Sequence, residues 1–288
     1  MYLKRIYILF LCAVFAQPLF AEDILTTTPV TYMLSSQLMK GTPITTAYLA
    51  PKRYGIERLP NWYASKGENI VATAGKQATV AITLKALWAD DPLFVYARQG
   101  NIKLIEIDAS QSISPRASSI ATVTLSHNTP SLYAWLNPNN LTAMLSIVAQ
   151  DLMRVWPEYK QQITQNLQSL QMATRQLINQ QQQVLFDKEI DSVVLLSDQL
   201  EDFASANQLF VVHRLVKDEL EWTTEDQQAL QSLLTESPHL WFLTTKKVSK
   251  KLSQLFPDFT HILVVDSLDR WGRKGIDSEQ PLQRWLFK

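Results

Sequence analysis

The chain has 288 residues, of which 46% are hydrophobic and 19% are charged, and its 27 basic side chains balance its 27 acidic ones. That length is enough for two modest domains with a full core. The zero net charge provides no strongly basic surface, so nucleic acid and anionic membranes are not expected as partners. The 7 glycines form no phosphate-binding pattern such as GxGxxG.

The N-terminal residues have the pattern of a cleavable secretion signal. Lys4 and Arg5 precede an apolar run over residues 6–15, which is too short for a permanent transmembrane helix. Small residues follow the run, and we expect cleavage after Ala16 or Ala21. The alternative is a buried N-terminal helix. The pattern predicts a protein that is exported to the periplasm.

The single cysteine, Cys12, lies inside this signal. The mature chain therefore has no disulfide, thiolate metal site or cysteine nucleophile. Leu11 is larger than the small residue that lipoprotein processing requires before the cysteine, so a lipid anchor is not expected. No later run of about 18 apolar residues occurs, which predicts a soluble mature protein.

The first half of the mature chain alternates short apolar runs with helix-like stretches. The patterns predict strands over residues 29–32, 45–49, 69–73 and 102–108, and a helix over residues 88–99 that ends at Gly100. The turn at residues 137–139 then opens a helix that continues to Val155 with apolar residues at helical spacing. After Pro157 a second helix over residues 158–186 would span roughly 40 Å.

Strands and helices alternate again in the last third. Strands are predicted over residues 192–196, 209–212, 240–244 and 261–265, with helices over 198–207, 224–235 and 248–255 between them. Such alternation implies parallel sheets. The predicted fold is α/β, with two lobes of mostly parallel sheet joined by a long backbone helix and a ligand cleft at the carboxyl ends of the strands. The predicted divisions are a signal peptide (1–21), an N-terminal lobe (22–136), a linking helical region (137–187) and a C-terminal lobe (188–288).

Several motifs resemble a known family. The segment YAWLNP at residues 133–138, followed by a long helix, resembles the HxWLDP region of the periplasmic metal-binding proteins of zinc and manganese ABC importers, the cluster A-I solute-binding family. The stretch LSDQLEDFA at 196–204 is similar to that family's SHDAFGYFA. WFLT at 241–244, VVDSL at 264–268 and PKRY at 51–54 resemble its IFVE, VLDPL and PHDY motifs. The resemblance implies two α/β lobes tied by one long helix.

The family usually holds its metal with three histidines and a carboxylate, and this chain departs from that set. The positions that match are occupied by Lys52, Tyr133, Ser197, Thr244 and Asp266. Lysine is cationic near neutral pH, and serine and threonine hydroxyls are poor ligands for Zn²⁺ or Mn²⁺. We therefore expect no metal site and no cofactor. The same five residues are expected to line a cleft that binds a metal chelate or another small ligand.

The sequence allows two interpretations for several other candidate residues. His213 either faces the cleft or makes a single structural hydrogen bond, and Asp198 either lines the cleft or caps a helix. His127 lies in a polar loop. His239 and His261 are expected to be structural or exposed. Tyr133 and Trp135 would stack on an organic ligand or pack between the lobes.

Two groups of charged residues also allow two interpretations each. The acidic loop with Asp218, Glu219 and Glu221, next to Lys217, could bind a hard cation or could simply be solvated. The second group is a docking or anion-binding patch or a solvated helix face. It comprises Lys246, Lys247, Lys250 and Lys251.

No GxSxG or HExxH pattern is present, so an enzyme is not expected. The resemblance predicts a monomeric binding protein that works with an ABC permease in the inner membrane. Two alternatives stay open. One is an orthodox zinc or manganese importer component with a site rebuilt from His213, Asp198 or Asp266. The other is a protein-interaction module that binds no solute.

Overall fold

The computed structural model describes residues 23–111, 120–125 and 128–287. The expected signal peptide with Cys12, and His127, lie outside the described residues. Two four-stranded sheets form, in the orders β2-β1-β3-β4 and β6-β5-β7-β8, and every strand pair is parallel. The strands are β1 (Ile24–Thr26), β2 (Thr46–Tyr48), β3 (Val80–Thr83), β4 (Ile105–Asp108), β5 (Ser192–Leu195), β6 (Phe210–Arg214), β7 (Trp241–Thr244) and β8 (Ile262–Val264).

Helices connect the strands and join the two sheets. They are α1 (Pro29–Leu38), α2 (Leu59–Trp62), α3 (Glu68–Gly75), α4 (Leu93–Gly100), α5 (Pro138–Val155), α6 (Lys160–Asp187), α7 (Glu201–Ala206), α8 (Thr224–Glu236) and α9 (Lys250–Leu255). The predicted α/β architecture with a long backbone helix is confirmed. The domain boundaries given above stay a prediction.

Two predicted strands of the first half are wrong. Residues 29–32 begin helix α1, which Pro29 opens at its first position, where a proline loses no hydrogen bond. Residues 69–73 belong to helix α3. Here Gly75 and Gly100 bring α3 and α4 into backbone contact, because a Cβ at Gly75 would overlap the Ala97 carbonyl. Tertiary packing thus overrides the preference of β-branched residues for strands.

Three clusters of buried apolar side chains form the core of the described residues. One face of each sheet packs into a single continuous cluster that includes Ile24 and Ile82 of the first sheet and Val193 and Leu243 of the second. The opposite faces have their own clusters, one around Leu25 and the other around Phe242. Because the alternate residues of each strand point to opposite faces, one sheet supplies two clusters. The shared cluster makes the two halves parts of one core.

Helix α6 lies along both halves. Its 28 residues correspond to about 42 Å, and its buried positions, such as Ile163, Leu170 and Leu177, recur at helical spacing. Near its N-terminal end the Asn166 amide donates to the carbonyls of Leu38 and Lys40 at 2.8 Å, which satisfies free acceptors at the end of α1. The helix therefore fixes the orientation of the first sheet's helices.

The chain beyond β8, which we call the C-terminal segment (residues 266–287), returns to the first half. Ser278 accepts hydrogen bonds from Gln37 and Lys40, and Glu279 pairs with Lys40 at 2.9 Å. Near its end, the Trp285 carbonyl accepts from Gln181 of α6 at 3.1 Å. The segment thus ties the second sheet to the first half. Within the described part of the chain, no helix is both long enough and apolar enough to cross a bilayer.

Candidate ligand-binding cleft

The predicted site residues lie at strand ends and in loops of both halves of the chain. Lys52 lies in the loop after β2, Ser197 follows β5, and Thr244 ends β7. Asp266 follows β8, and Tyr133 precedes a short turn that leads into α5. Asn137 caps α5 by accepting from the backbone of Asn139, which confirms the helix start expected at this turn.

The Asp266 carboxylate is occupied by an arginine of its own segment. Arg284 donates from Nε to Asp266 Oδ2 at 2.9 Å and from Nη2 to Oδ1 at 2.8 Å. The Leu268 amide also donates to Oδ1, at 2.9 Å. Only 8% of the Arg284 side chain is exposed, so the pair is largely shielded from water. A dication at Asp266 would have to displace this guanidinium.

Tyr133 is held by a second carboxylate, that of Asp269. The Tyr133 hydroxyl donates to Asp269 Oδ1 at 3.0 Å, and the Ile56 amide donates to the same oxygen at 3.0 Å. The carboxylate sits directly over Gly55, where a Cβ would overlap it. Asp269 therefore links the first half of the chain to the second in the place where Tyr133 would meet a ligand.

Burial raises the pKa of the Tyr133 hydroxyl far above its ordinary value, and the neighbouring negative charge of Asp269 adds to the effect. Glu57 and Asp198 add smaller contributions of the same sign. The phenol therefore keeps its proton and acts as a donor. A metal ligand at this position would need a lone pair on a deprotonated or neutral acceptor atom.

Lys52 and Thr244 have partners of their own. The Lys52 ammonium lies 5.5 Å from the centre of the Trp271 ring, and the Lys52 carbonyl accepts from Gly272 at 2.8 Å. The Trp271 ring also lies 4.7 Å from the rings of Tyr32 and Tyr48. Thr244 is buried, and its hydroxyl accepts from the Lys246 amide at 3.2 Å.

A cavity of about 790 Å³ opens beside these contacts, and we call it the carboxyl-edge cavity. Ser197 and Asp266 border it, whereas Lys52, Tyr133 and Thr244 do not. The full lining is Glu57, Leu196, Ser197, Asp198, Gln199, Val216, Lys217, Thr245, Lys246, Lys247, Asp266, Ser267, Asp269, Arg270, Trp271, Gly272, Arg273, Lys274 and Arg284. The volume is sufficient for a small organic ligand.

Charges dominate this lining, with seven cationic and four acidic side chains. Several are already paired. Besides the Arg284 pair, Lys246 binds Asp218 at 2.8 Å and Lys217 binds Asp226 at 2.7 Å. Lys247, Arg273 and Lys274 are exposed and have no ion pair with any described residue. The cavity thus presents unpaired positive charge.

Two unpaired carboxylates border the same cavity. Among the described residues, neither Asp198 nor Glu57 has an ion-pair partner. Both contribute to the raised pKa of the Tyr133 hydroxyl. The expectation that Asp198 caps a helix is wrong, because Ser197 is the residue that precedes the turn.

None of the described histidines borders the carboxyl-edge cavity. His213 is a residue of strand β6, in register with Val194. His261 stacks on Trp241, with ring centres 4.9 Å apart and planes 15° apart. His239 is exposed in a turn.

The acidic loop and the lysine cluster are joined to each other. In addition to the Lys246–Asp218 pair, Lys251 donates to the Glu219 carbonyl and Ser249 to the Glu219 carboxylate. Of the four lysines in the cluster, only Lys246 and Lys247 border the cavity.

Trp135 is buried, and its indole donates to the Ser267 carbonyl at 2.9 Å, which leaves its ring packed between the two halves.

The donor set does not fit a transition metal. In the described ranges, no three His, Cys, Asp or Glu side chains lie together as a possible metal site. Zn²⁺ requires about four nitrogen, thiolate or carboxylate donors. The family-matched positions offer an ammonium, a protonated phenol, two hydroxyls and a carboxylate that is already paired.

Sequence reasoning missed Asp269 and Arg284, which make the decisive contacts. It also missed the basic run at residues 270–274, RWGRK, which borders the cavity. The density of Arg, Lys and Gly in that run was a usable signal of a charged loop. The pairing of Arg284 with Asp266 across 18 residues had no such signal.

Comparisons with known proteins identify the fold. No protein-family model and no curated protein sequence matches the chain. Solved structures do match. The metal-dependent lipoprotein YcdH of Bacillus subtilis superposes with a TM-score of 0.67 at 13% identity, covering 88% of this chain and 90% of YcdH. AdcAII of Streptococcus pneumoniae gives 0.64 at 16% identity over 91% and 95%. The solute-binding protein FpvC of Pseudomonas aeruginosa, in complex with Mn²⁺, gives 0.65 at 11% identity over 91% and 93%. The chain therefore has the two-lobed α/β fold of metal-binding solute-binding proteins, as the motif resemblance predicted.

Proposed function

We propose that the protein is a solute-binding protein of the metal-importer type that takes a small ligand, such as a metal chelate, instead of a bare dication. It would act in the periplasm after signal cleavage, as a monomer, and would deliver its ligand to an ABC permease in the inner membrane. The fold supports the binding role, since YcdH, AdcAII and FpvC share it. No step of this role is catalytic.

The observation that carries the proposal is the ion pair of Arg284 with Asp266, the carboxylate at the family-matched position. In a metal carrier an aspartate at the position of Asp266 would have to offer a free lone pair. Here both oxygens accept from Arg284, at 2.8 and 2.9 Å. The neighbouring Tyr133 keeps its proton and donates a hydrogen bond to Asp269, so it offers no phenolate to a metal. The proposal keeps Lys52, Tyr133, Ser197, Thr244 and Asp266 as ligand-binding positions, of which Ser197 and Asp266 border the carboxyl-edge cavity.

Metal analysis of protein purified without a histidine tag tests the proposal. We expect far less than one zinc or manganese per chain. Thermal-shift measurements with zinc, manganese and metal–chelate mixtures should show stabilisation by chelates and little by the bare ions. Stoichiometric metal, together with a bare-metal shift that disappears in Asp266→Ala, would establish an orthodox importer component with a rearranged site.

One observation favours a second candidate, a protein-interaction module. Strand β6 is an edge strand that begins with Phe210, which is 69% exposed, and Leu220 in the turn that follows along the chain is 82% exposed. Exposed apolar residues at a sheet edge suit association with another chain. Chemical cross-linking in the periplasm, with Phe210→Ser and Leu220→Ser as comparison, would distinguish the candidates. A specific cross-linked partner combined with no response to any solute would favour the interaction module.

A further inference from the structure

The lining of the carboxyl-edge cavity carries unpaired charges of both signs. Lys247, Arg273 and Lys274 supply positive charge that no described residue pairs. Asp198 and Glu57 border the same cavity and supply negative charge that no described residue pairs. A site of one sign would suit a simple anion or cation. A site with both signs in one cavity suits a ligand that carries both.

The size of the cavity further limits the class of ligand that it can bind. About 790 Å³ is much larger than an inorganic phosphate or a single metal ion requires, and matches a small organic molecule. The basic side chains border loops at residues 245–247 and 270–274, so cations approach from two elements. Lysine and arginine bind carboxylates through charge-assisted hydrogen bonds, and two loops can hold two such groups.

We propose that the carboxyl-edge cavity binds a small polycarboxylate with a positive centre, either a metal ion chelated by the carboxylates or a protonated amine. The carboxylates lie against Lys247, Arg273 and Lys274. The positive centre faces Asp198 and Glu57. This inference deepens the proposed function and rests on it. It places the ligand beside the family-matched metal position, because the Asp269 and Arg284 contacts fill that position with the protein's own side chains.

Isothermal titration calorimetry on the tag-free mature protein tests the assignment. The probes are zinc nitrilotriacetate, iron(III) citrate, metal-free citrate, aminopolycarboxylate without metal, and inorganic phosphate. The triple variant Lys247→Gln, Arg273→Gln and Lys274→Gln is compared with a matched variant that removes the same charge from exposed positions elsewhere. That control is Lys103→Gln, Arg175→Gln and Lys188→Gln.

We expect the cavity triple variant to weaken binding of the chelates by about 30-fold or more, since it removes several charge-assisted contacts, while the matched control changes it less than about threefold. A second variant, Asp198→Asn with Glu57→Gln, should weaken the metal-loaded chelate or amine form by about tenfold. It should leave metal-free citrate unchanged or bound more tightly. Preference for the metal complex over the metal-free amine identifies which positive centre is recognised.

Several results would overturn the inference and leave the proposed function standing. These are chelate binding that the cavity triple variant does not affect, equal binding of inorganic phosphate, and binding of neutral solutes alone. The proposed function itself fails on a different result, namely binding of bare zinc or manganese, or no response to any solute. Circular dichroism and melting of each variant confirm that the fold is intact.

Discussion

The Tyr133–Asp269 hydrogen bond allows a quantitative test of how the two halves are held together. Tyr133→Phe removes only the hydroxyl, which donates to a buried carboxylate at 3.0 Å. A hydrogen bond to a charged group contributes roughly 1.5–3 kcal/mol, and Asp269 keeps its bond from Ile56. We therefore expect the free energy of unfolding to fall by about 2 kcal/mol. Urea unfolding followed by the fluorescence of the 8 tryptophans measures it.

Tyr48→Phe is the matched control. The Tyr48 hydroxyl is also buried, but no described residue gives it a hydrogen-bond partner. Its removal should be neutral or slightly stabilising, because an unsatisfied buried polar group costs free energy. A double-mutant cycle of Tyr133→Phe with Asp269→Asn should give a coupling of about 1 kcal/mol or more. Equal losses for Tyr133→Phe and Tyr48→Phe, or a coupling near zero, would refute the reasoning.

Three further predictions concern the same region. Gly55→Ala should lower the free energy of unfolding, measured by chemical unfolding, by about 2 kcal/mol. The backbone angles at Gly55 suit alanine, so the loss would come from the new Cβ, which displaces the Asp269 carboxylate. Arg284→Met should cost about 3 kcal/mol in the same assay, because it leaves Asp266 without its partner. Burial raises the pKa of Asp202 to about 6, so its carboxylate destabilises the fold as pH rises from about 4 to above 6. Asp202→Asn should therefore be about 2 kcal/mol more stable than the wild type at pH 7.5 and equal to it near pH 4, and a pH series of melts that shows a constant difference would contradict this.

The second half of the fold could be predicted because its strands are apolar runs separated by polar helices. Strands β5 to β8 all fall within the predicted ranges to within two residues at either end. The first half was harder. Helix α1 is buried on nearly every side, so its sequence lacks the amphipathic period that identifies a surface helix. Strands β1 and β3 are only three and four residues long and were not predicted.

The site was predictable only in part, for a related reason. Motif positions locate residues along the chain, and Ser197 and Asp266, which follow strands of one parallel sheet, both border the cavity, while their part in binding stays a prediction. The partners that decide what those residues can do come from far away in sequence. Asp269 meets the amide of Ile56, which is 213 residues distant. No local pattern contains such a contact.

The same contacts support the proposed preference for a chelate over a bare dication. A free aspartate at a strand end attracts cations, but Arg284 neutralises Asp266 from within the C-terminal segment. The loop after Asp269 then adds Arg273 and Lys274 to the border of the cavity without adding an acidic side chain. Charge that would repel a bare dication is thereby placed where carboxylates of a ligand can bind. Because the two halves share one core and α6 lies along both, the proposed selectivity would depend on charges that are already in place.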